Sequence, residues 1–130
     1  MIFDPVRFVD TVVSQDEDGL REFFWPTASV CWPNTGEQFT VDEYLRANCD
    51  YPGIWTGQVE RVEQAGATTI VVARISAGTS FYVTSFILVV DGLIERLDEY
   101  WGDVGDAPRW RKDMGIGTSI PAAVPGDGRH

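Results

Sequence analysis

The sequence predicts an α+β fold in which a curved antiparallel meander sheet wraps over about three N-terminal helices, forming a cone with a pocket. Two observations predict this class. Apolar residues recur at helical spacing before about residue 50, and beyond Gly57 they recur at strand spacing. Helices that precede an antiparallel sheet in the chain are typical of α+β proteins, where they cover one face of the sheet. The open mouth of such a cone is a common ligand site.

The clearest strand signal runs from Ser80 to Trp101. Its two arms flank Asp91-Gly92, a dipeptide that favours a tight hairpin turn. The second arm alternates, so one of its faces is predicted to carry Leu93, Glu95, Leu97, Glu99 and Trp101. Whichever face is buried, at least one acidic side chain is buried with it.

Capping residues predict where the first helix begins. Asp4 has the position of an N-cap, and Pro5 follows at the first helical position. Phe3 is spaced to pack on Phe8 as a hydrophobic staple.

Two more helices are predicted before the strands. Acidic residues at 16–18 favour the start of a second helix, which Pro26 is expected to end. Thr40 and Glu43 have the capping-box spacing, so a third helix is predicted from there to about Asn48.

Further strands are predicted over residues 28–32, 58–65 and 68–76. Past Trp101, glycines and prolines interrupt every period, and loop is expected. We expect a single domain over residues 1–120 and a disordered tail over 121–130.

Composition excludes several classes of function. The 20 acidic and 10 basic residues give a net charge of −10, which repels phosphate, so neither nucleic acid nor an anionic membrane is an expected partner. His130 is the only histidine, which excludes a Ser-His-Asp triad and a histidine zinc site, and we expect no metal or cofactor. The N-terminal residues lack the pattern of a signal peptide, and no apolar run approaches the ~18 residues of a membrane span. A cytoplasmic location is expected. Cys31 and Cys49 could pair with each other, but in a reducing compartment two cysteines are more often small buried apolar residues.

Three segments resemble one family: residues 16–24 (DEDGLREFF), 28–33 (ASVCWP) and 91–101 (DGLIERLDEYW). With the order of elements over about residues 3–103, they resemble the nuclear transport factor 2-like superfamily, which includes ketosteroid isomerases, SnoaL-like polyketide cyclases and limonene epoxide hydrolases. The resemblance implies the cone fold and a homodimer paired through the outer face of the sheet. It implies no single function, because this fold hosts enzymes, carriers and protein-binding modules.

The catalytic residues of the isomerases are not matched. By the resemblance, Trp32 stands where they have their general base, and Phe8 where they have an oxyanion-hole tyrosine. Phe86 falls near their acid in the penultimate strand. Ketosteroid isomerisation is therefore not expected, and the Arg and two Asp of the limonene hydrolases do not map cleanly either.

Glu99 is the candidate catalytic residue. The resemblance implies that Trp101 lines the pocket, and alternation then turns Leu97 and Glu99 inward. A carboxylate in an aromatic cavity has a raised pKa, which suits general acid–base chemistry near neutral pH. Alternatively, Glu99 pairs with Arg74 on the neighbouring strand and is purely structural. The sequence leaves both interpretations open.

Candidate ligand-binding residues come from the aromatic content and from the expected rim of the cone. The aromatic side chains exceed what so small a core needs, which favours an aromatic-walled pocket for a planar or apolar ligand. Core packing and turn formation are the alternative explanations for the same residues. The predicted set is Trp32, Asn34, Tyr44, Asn48, Trp55, Arg74, Tyr82, Phe86, Leu97 and Trp101.

Three classes of function follow. The first is an acid–base enzyme acting on a small apolar substrate by isomerisation, cyclisation, dehydration or hydrolysis, with Glu99 as the proton carrier. The second is a non-catalytic binder of a small molecule in the same pocket. The third is a dimeric interaction module whose cavity is filled by side chains.

Overall fold

The structure, a computed structural model, describes residues 2–121. It contains one six-stranded sheet and four helices. The helices are α1 (Pro5–Ser14), α2 (Glu17–Arg21), α3 (Val41–Cys49) and α4 (Arg109–Asp113). The strands are β1 (Phe24–Trp32), β2 (Glu37–Thr40), β3 (Thr56–Ala65), β4 (Thr68–Ser76), β5 (Ser80–Val90) and β6 (Leu93–Asp103). Of the tail predicted over 121–130, only Pro121 lies within the described residues.

The predicted α+β class is confirmed. The strand order is β2-β1-β6-β5-β4-β3, and β3 to β6 form the expected antiparallel meander in a curved sheet that does not close. The sequence did not indicate how β1 joins this meander. It pairs with β6 in parallel, which makes the sheet mixed. The C-terminal ends of β1 and β6 therefore lie at the same end of the sheet.

The predicted capping residues are confirmed at both longer helices. The Asp4 carboxylate accepts hydrogen bonds from the backbone N–H groups of Val6 and Arg7, and the Phe3 and Phe8 rings lie 5.8 Å apart. At α3, the Glu43 N–H donates to Thr40 Oγ1 over 3.2 Å, and the Thr40 N–H donates to Glu43 Oε1 over 2.9 Å. These bonds satisfy amides that have no partner inside the helix.

The second helix is shorter than predicted. It ends at Arg21, and β1 begins at Phe24 and continues through Pro26. Proline is tolerated because the pairing of β1 with β6 is interrupted between Phe24 and Ser29, where a missing N–H breaks no ladder bond. The short strand β2 and the helix α4 were also not predicted, since neither is long enough to show a period.

The turn between β5 and β6 is the predicted one. Asp91 and Gly92 both have positive φ, 49° and 84°, as a two-residue type I′ turn requires. Farther along, however, β6 carries a bulge. Val89 pairs with Ile94 and Leu88 with Arg96, so Glu95 has no partner on β5. The predicted alternation from Leu93 is wrong at this end, because the bulge places Ile94 in the core and leaves Glu95 exposed.

The core lies between the helices and the concave face of the sheet. Alternate residues of β4, such as Val71, Ala73 and Ile75, are buried there, while their neighbours are only part-buried. Gly57 on β3 allows α1 to pack closely, since a Cβ at this position would lie 2.9 Å from the Val13 side chain. Within residues 2–121, no helix combines the length and the apolar character that crossing a membrane requires.

Candidate functional site

A cavity of about 330 Å³ opens between α1, α3 and the ends of β1, β4, β5 and β6. Its size lies near the lower end of the range for small-molecule sites. Its wall is mainly apolar. The lining residues are Val12, Val13, Gln15, Trp32, Asn34, Thr35, Ala47, Asn48, Tyr51, Trp55, Ile75, Phe81, Trp101 and Asp103.

The aromatic residues of the wall form a continuous series in which each ring contacts the next. The centroid distances are 5.9 Å from Trp32 to Trp101, 5.1 Å from Trp101 to Phe81, 5.4 Å from Phe81 to Trp55, and 4.9 Å from Trp55 to Tyr51. Successive ring planes are inclined by 55–80°, so neighbouring rings do not stack in parallel. Edge-to-face contacts of this kind fix the rings relative to one another.

Asn34 fixes the loop after β1 to the end of β6. Its amide donates to the Trp101 carbonyl over 3.0 Å, and its carbonyl accepts from the Trp101 N–H over 2.8 Å. This pair of bonds reproduces the pattern of a strand partner. It therefore holds the Trp101 backbone, and with it one part of the cavity wall.

Gln15 and Asn48 join α1 to α3 at the mouth of the cavity. Gln15 has a left-handed conformation at the end of α1, and its amide donates to the carbonyls of Asn48 and Tyr51. The Asn48 amide donates back to the Val12 carbonyl over 2.9 Å. The side-chain carbonyls of Gln15 and Asn48 accept no hydrogen bond from residues 2–121 and remain available at the wall.

Glu99 is buried on the concave face of β6, with 3% of its surface exposed. Trp32 Nε1 donates to Glu99 Oε1 over 3.0 Å, and Ser85 Oγ, on the residue directly opposite in β5, donates to Oε2 over 3.3 Å. Burial raises the pKa of Glu99 to about 7, although both hydrogen bonds favour the charged form and limit the rise. Burial and the Glu99 charge also raise the pKa of Tyr44.

The ion pair between Glu99 and Arg74 is not formed. Arg74 lies opposite Tyr82 on the convex face of the sheet, with its guanidinium 5.8 Å from the Tyr82 ring. No cation within residues 2–121 forms a salt bridge with Glu99. Glu99 is also absent from the residues that line the cavity, although it accepts a hydrogen bond from Trp32, which does line it.

The structure brings together part of the predicted set. Trp32, Asn34, Asn48, Trp55 and Trp101 line the cavity, and their role in ligand binding stays a prediction. Tyr44 and Leu97 belong to the core, where they are 1% and 0% exposed. Arg74, Tyr82 and Phe86 were placed at the pocket wrongly, since all three lie on the convex face.

The bulge at Glu95 explains the error on β5. A regular hairpin around Asp91-Gly92 would pair Tyr82 with Trp101 and turn both into the cavity. The extra residue shifts the pairing by one, so Val83 lies opposite Trp101 and Phe81 takes the place predicted for Tyr82. Both faces of β5 are apolar, so its own sequence gives no signal for this shift.

The same shift also affects Phe86, which the resemblance placed near the penultimate-strand acid of the isomerases. Phe86 faces outward and cannot occupy the position of their penultimate-strand acid. Its inward neighbours, Ser85 and Ile87, are not acids either, so the concave face of β5 offers no carboxylate here. Asp103 was missed as a site residue because the chain past Trp101 was expected to be loop, whereas β6 continues to Asp103.

No protein-family model and no curated protein sequence matches the chain. Solved structures do. A Kribbella flavida protein described as a candidate ketosteroid isomerase is 26% identical with a TM-score of 0.75, covering 90% of this chain and 87% of its own. A candidate polyketide cyclase from Sinorhizobium meliloti is 24% identical with a TM-score of 0.61, covering 71% and 88%. A Catenulispora acidiphila protein with a ketosteroid isomerase-like fold, in complex with trimethylamine, is 10% identical with a TM-score of 0.66, covering 78% and 88%.

Proposed function

Since the chain has the fold of the nuclear transport factor 2-like superfamily, we propose that it binds a small, largely apolar or planar molecule in its cavity. The observation that carries this proposal is the cavity itself, a space of about 330 Å³ whose wall is mostly aromatic and aliphatic. A filled core would leave no such space, so an interaction module with a closed interior is the poorer interpretation.

Binding can be tested with a panel of neutral, anionic and cationic fragments. Trp32, Trp55 and Trp101 line the cavity, so a bound fragment should change the tryptophan fluorescence. Ala47→Leu places additional side-chain atoms in the cavity and should abolish the change. The matched control is Ala65→Leu, at an exposed position at the end of β3. If no fragment changes the fluorescence, or if Ala47→Leu binds as well as the native protein, the proposal fails.

Acid–base catalysis by Glu99 is a second candidate function, and the observation that favours it is the pKa of about 7. At neutral pH such a group is present in both protonation states and can donate or accept a proton. Glu99 is not among the residues that line the cavity, so a molecule bound there does not contact its carboxyl group. The present geometry therefore favours binding over catalysis.

Proton transfer can be detected before a substrate is known. Small ketones with exchangeable C–H groups would be incubated with the protein in heavy water and followed by NMR. Catalysis predicts deuterium incorporation that falls roughly 10²-fold in Glu99→Gln. Equal exchange by both proteins, or none above the buffer rate, would reject the catalytic candidate and leave the binding proposal intact.

A homodimer paired through the convex face of the sheet is part of the same proposal. This face carries the apolar side chains of Ile70, Val72, Tyr82, Phe86, Leu88 and Tyr100. Two ion pairs lie beside them, Arg61 with Glu63 and Arg96 with Asp98, so the face carries both positive and negative charges. A surface that is apolar and carries both signs can pair with its own copy about a two-fold axis, despite the net charge of −10.

A further inference from the structure

The cavity wall has an electrostatic character beyond its apolar surface. The faces of aromatic rings are electron-rich, and the five rings from Trp32 to Tyr51 surround the cavity at large mutual inclinations. Asp103 also lines the cavity and, among residues 2–121, is the only charged residue of the wall. It forms no salt bridge with any cation in the described part of the chain.

Hydrogen bonds within the protein use the side-chain N–H groups of the wall, which leaves acceptors free at its surface. The side-chain N–H groups of Gln15, Asn34 and Asn48 donate to backbone carbonyls. Trp55 Nε1 likewise donates to the Pro52 carbonyl over 3.0 Å. The acceptors left over at the wall are the side-chain carbonyls of Gln15 and Asn48 and the Asp103 carboxylate.

Trp32 strengthens this character. Its indole N–H donates to the Glu99 carboxyl group, and whenever that group is ionised the bond increases the electron density of the ring. The indole N–H of Trp101 is the exception in the wall, since Nε1 is buried without a hydrogen-bond partner among residues 2–121. This nitrogen is shielded from solvent, so it adds no exposed donor to the cavity surface.

We infer that the ligand is a small organic cation, an alkylated ammonium group held by cation–π contacts inside this aromatic cage. The inference rests on the proposed binding function of the cavity and names the class of ligand. Aromatic cages bind alkylated ammonium groups because these cations carry a delocalised charge and are weakly hydrated. A neutral ligand would gain from the apolar wall but not from the ring faces, the free acceptors or Asp103.

A matched pair of probes separates charge from shape. Choline and 3,3-dimethylbutan-1-ol have the same heavy-atom skeleton, with a quaternary nitrogen in one and a carbon in the other. Calorimetric titration should give choline the tighter binding by roughly tenfold. Trp55→Leu should remove most of this preference and Trp55→Phe should restore part of it. Trp110→Leu, on the exposed helix α4, is the control and should change nothing.

The charge of Asp103 is tested separately. Asp103→Asn should weaken choline binding about threefold at low salt and leave the neutral alcohol unaffected. Glu95→Gln removes the same charge from the far end of β6 and should have no effect on either probe.

The outcomes distinguish the inference from the function on which it rests. If the alcohol binds as tightly as choline, or if only neutral fragments of the panel bind, the cation inference is overturned and the binding proposal stands. If no probe of any charge binds, both fail together.

Discussion

Glu99 is the residue whose environment has the largest consequences. Its carboxyl group lies among apolar side chains with two hydrogen-bond donors, Trp32 and Ser85, and with no countercharge from residues 2–121. Burial without a cation favours the neutral acid, and the raised pKa follows. An isosteric amide in its place can accept from Trp32 and donate to the Ser85 hydroxyl.

Glu99→Gln should therefore stabilise the protein at high pH. An acid whose pKa rises from 4.5 to about 7 on folding binds more protons in the folded state, so its contribution to stability decreases as the pH increases across that interval. Measured by urea unfolding, the variant should gain up to roughly 3 kcal/mol over the native protein between pH 4.5 and pH 7.5. Other carboxylates titrate in both proteins and cancel in the difference.

A difference in stability that stays constant over this pH interval would contradict the raised pKa. A variant less stable by several kcal/mol at every pH would instead mean that Glu99 neutralises a buried cation. Ser85→Ala is the companion variant. It removes one donor to the carboxylate and should raise the pKa of Glu99 further.

At the scale of single elements, the capping box fixes where α3 begins. Thr40→Ala leaves the Glu43 N–H without its acceptor and should lower the free energy of unfolding by about 1 kcal/mol. Chemical denaturation measures this directly. Thr118→Ala, at an exposed position in a loop, is the control, and an equal effect of the two substitutions would show that the cap is not responsible.

The contact between α1 and β3 depends on the absence of a side chain at Gly57. Gly57→Ala would place a Cβ within 3.3 Å of the side chains of Val9, Val13 and Ile75 and should destabilise the protein by roughly 1–3 kcal/mol. Gly102→Ala on β6 meets no atom within 4 Å and should be neutral or slightly stabilising. A thermal melt of each variant measures the effect, and equal midpoints would refute the close approach.

The elements also show how far the sequence alone leads. Short-range chemistry was predictable: the caps at Asp4 and Thr40 and the turn at Asp91-Gly92 depend on residues within four positions of one another. The bulge at Glu95 was not, because it depends on how two strands with apolar residues on both faces pack against the helices. That single position moved Tyr82 and Phe86 out of the predicted site and Phe81 into it.

At the scale of the whole molecule, the exposed apolar side chains on the convex face of the sheet predict a homodimer. Phe86 is 38% exposed and Tyr100 is 47% exposed, and their rings contact each other at 5.8 Å. Sedimentation velocity should show a dimer at micromolar concentration. Phe86→Glu should convert it to a monomer, because pairing through this face would bury an unpaired charge.

The control for this experiment is Ile54→Glu, which introduces the same charge at a position that is 91% exposed and outside the sheet. It should leave the dimer intact. A native protein that sediments as a monomer at micromolar concentration would contradict pairing through this face.

Because β6 lies between β1 and β5, the sheet can be completed only after β6 has been synthesised. During synthesis, β1 emerges early, whereas its neighbour β6 is the last of the six strands to be made. Until then, β1 with β2 and the three strands β3 to β5 are two separate pieces with unpaired edges, and such edges favour association between chains. A chain ending at Asp91 should therefore protect the β1 amides from hydrogen exchange less than the full chain does.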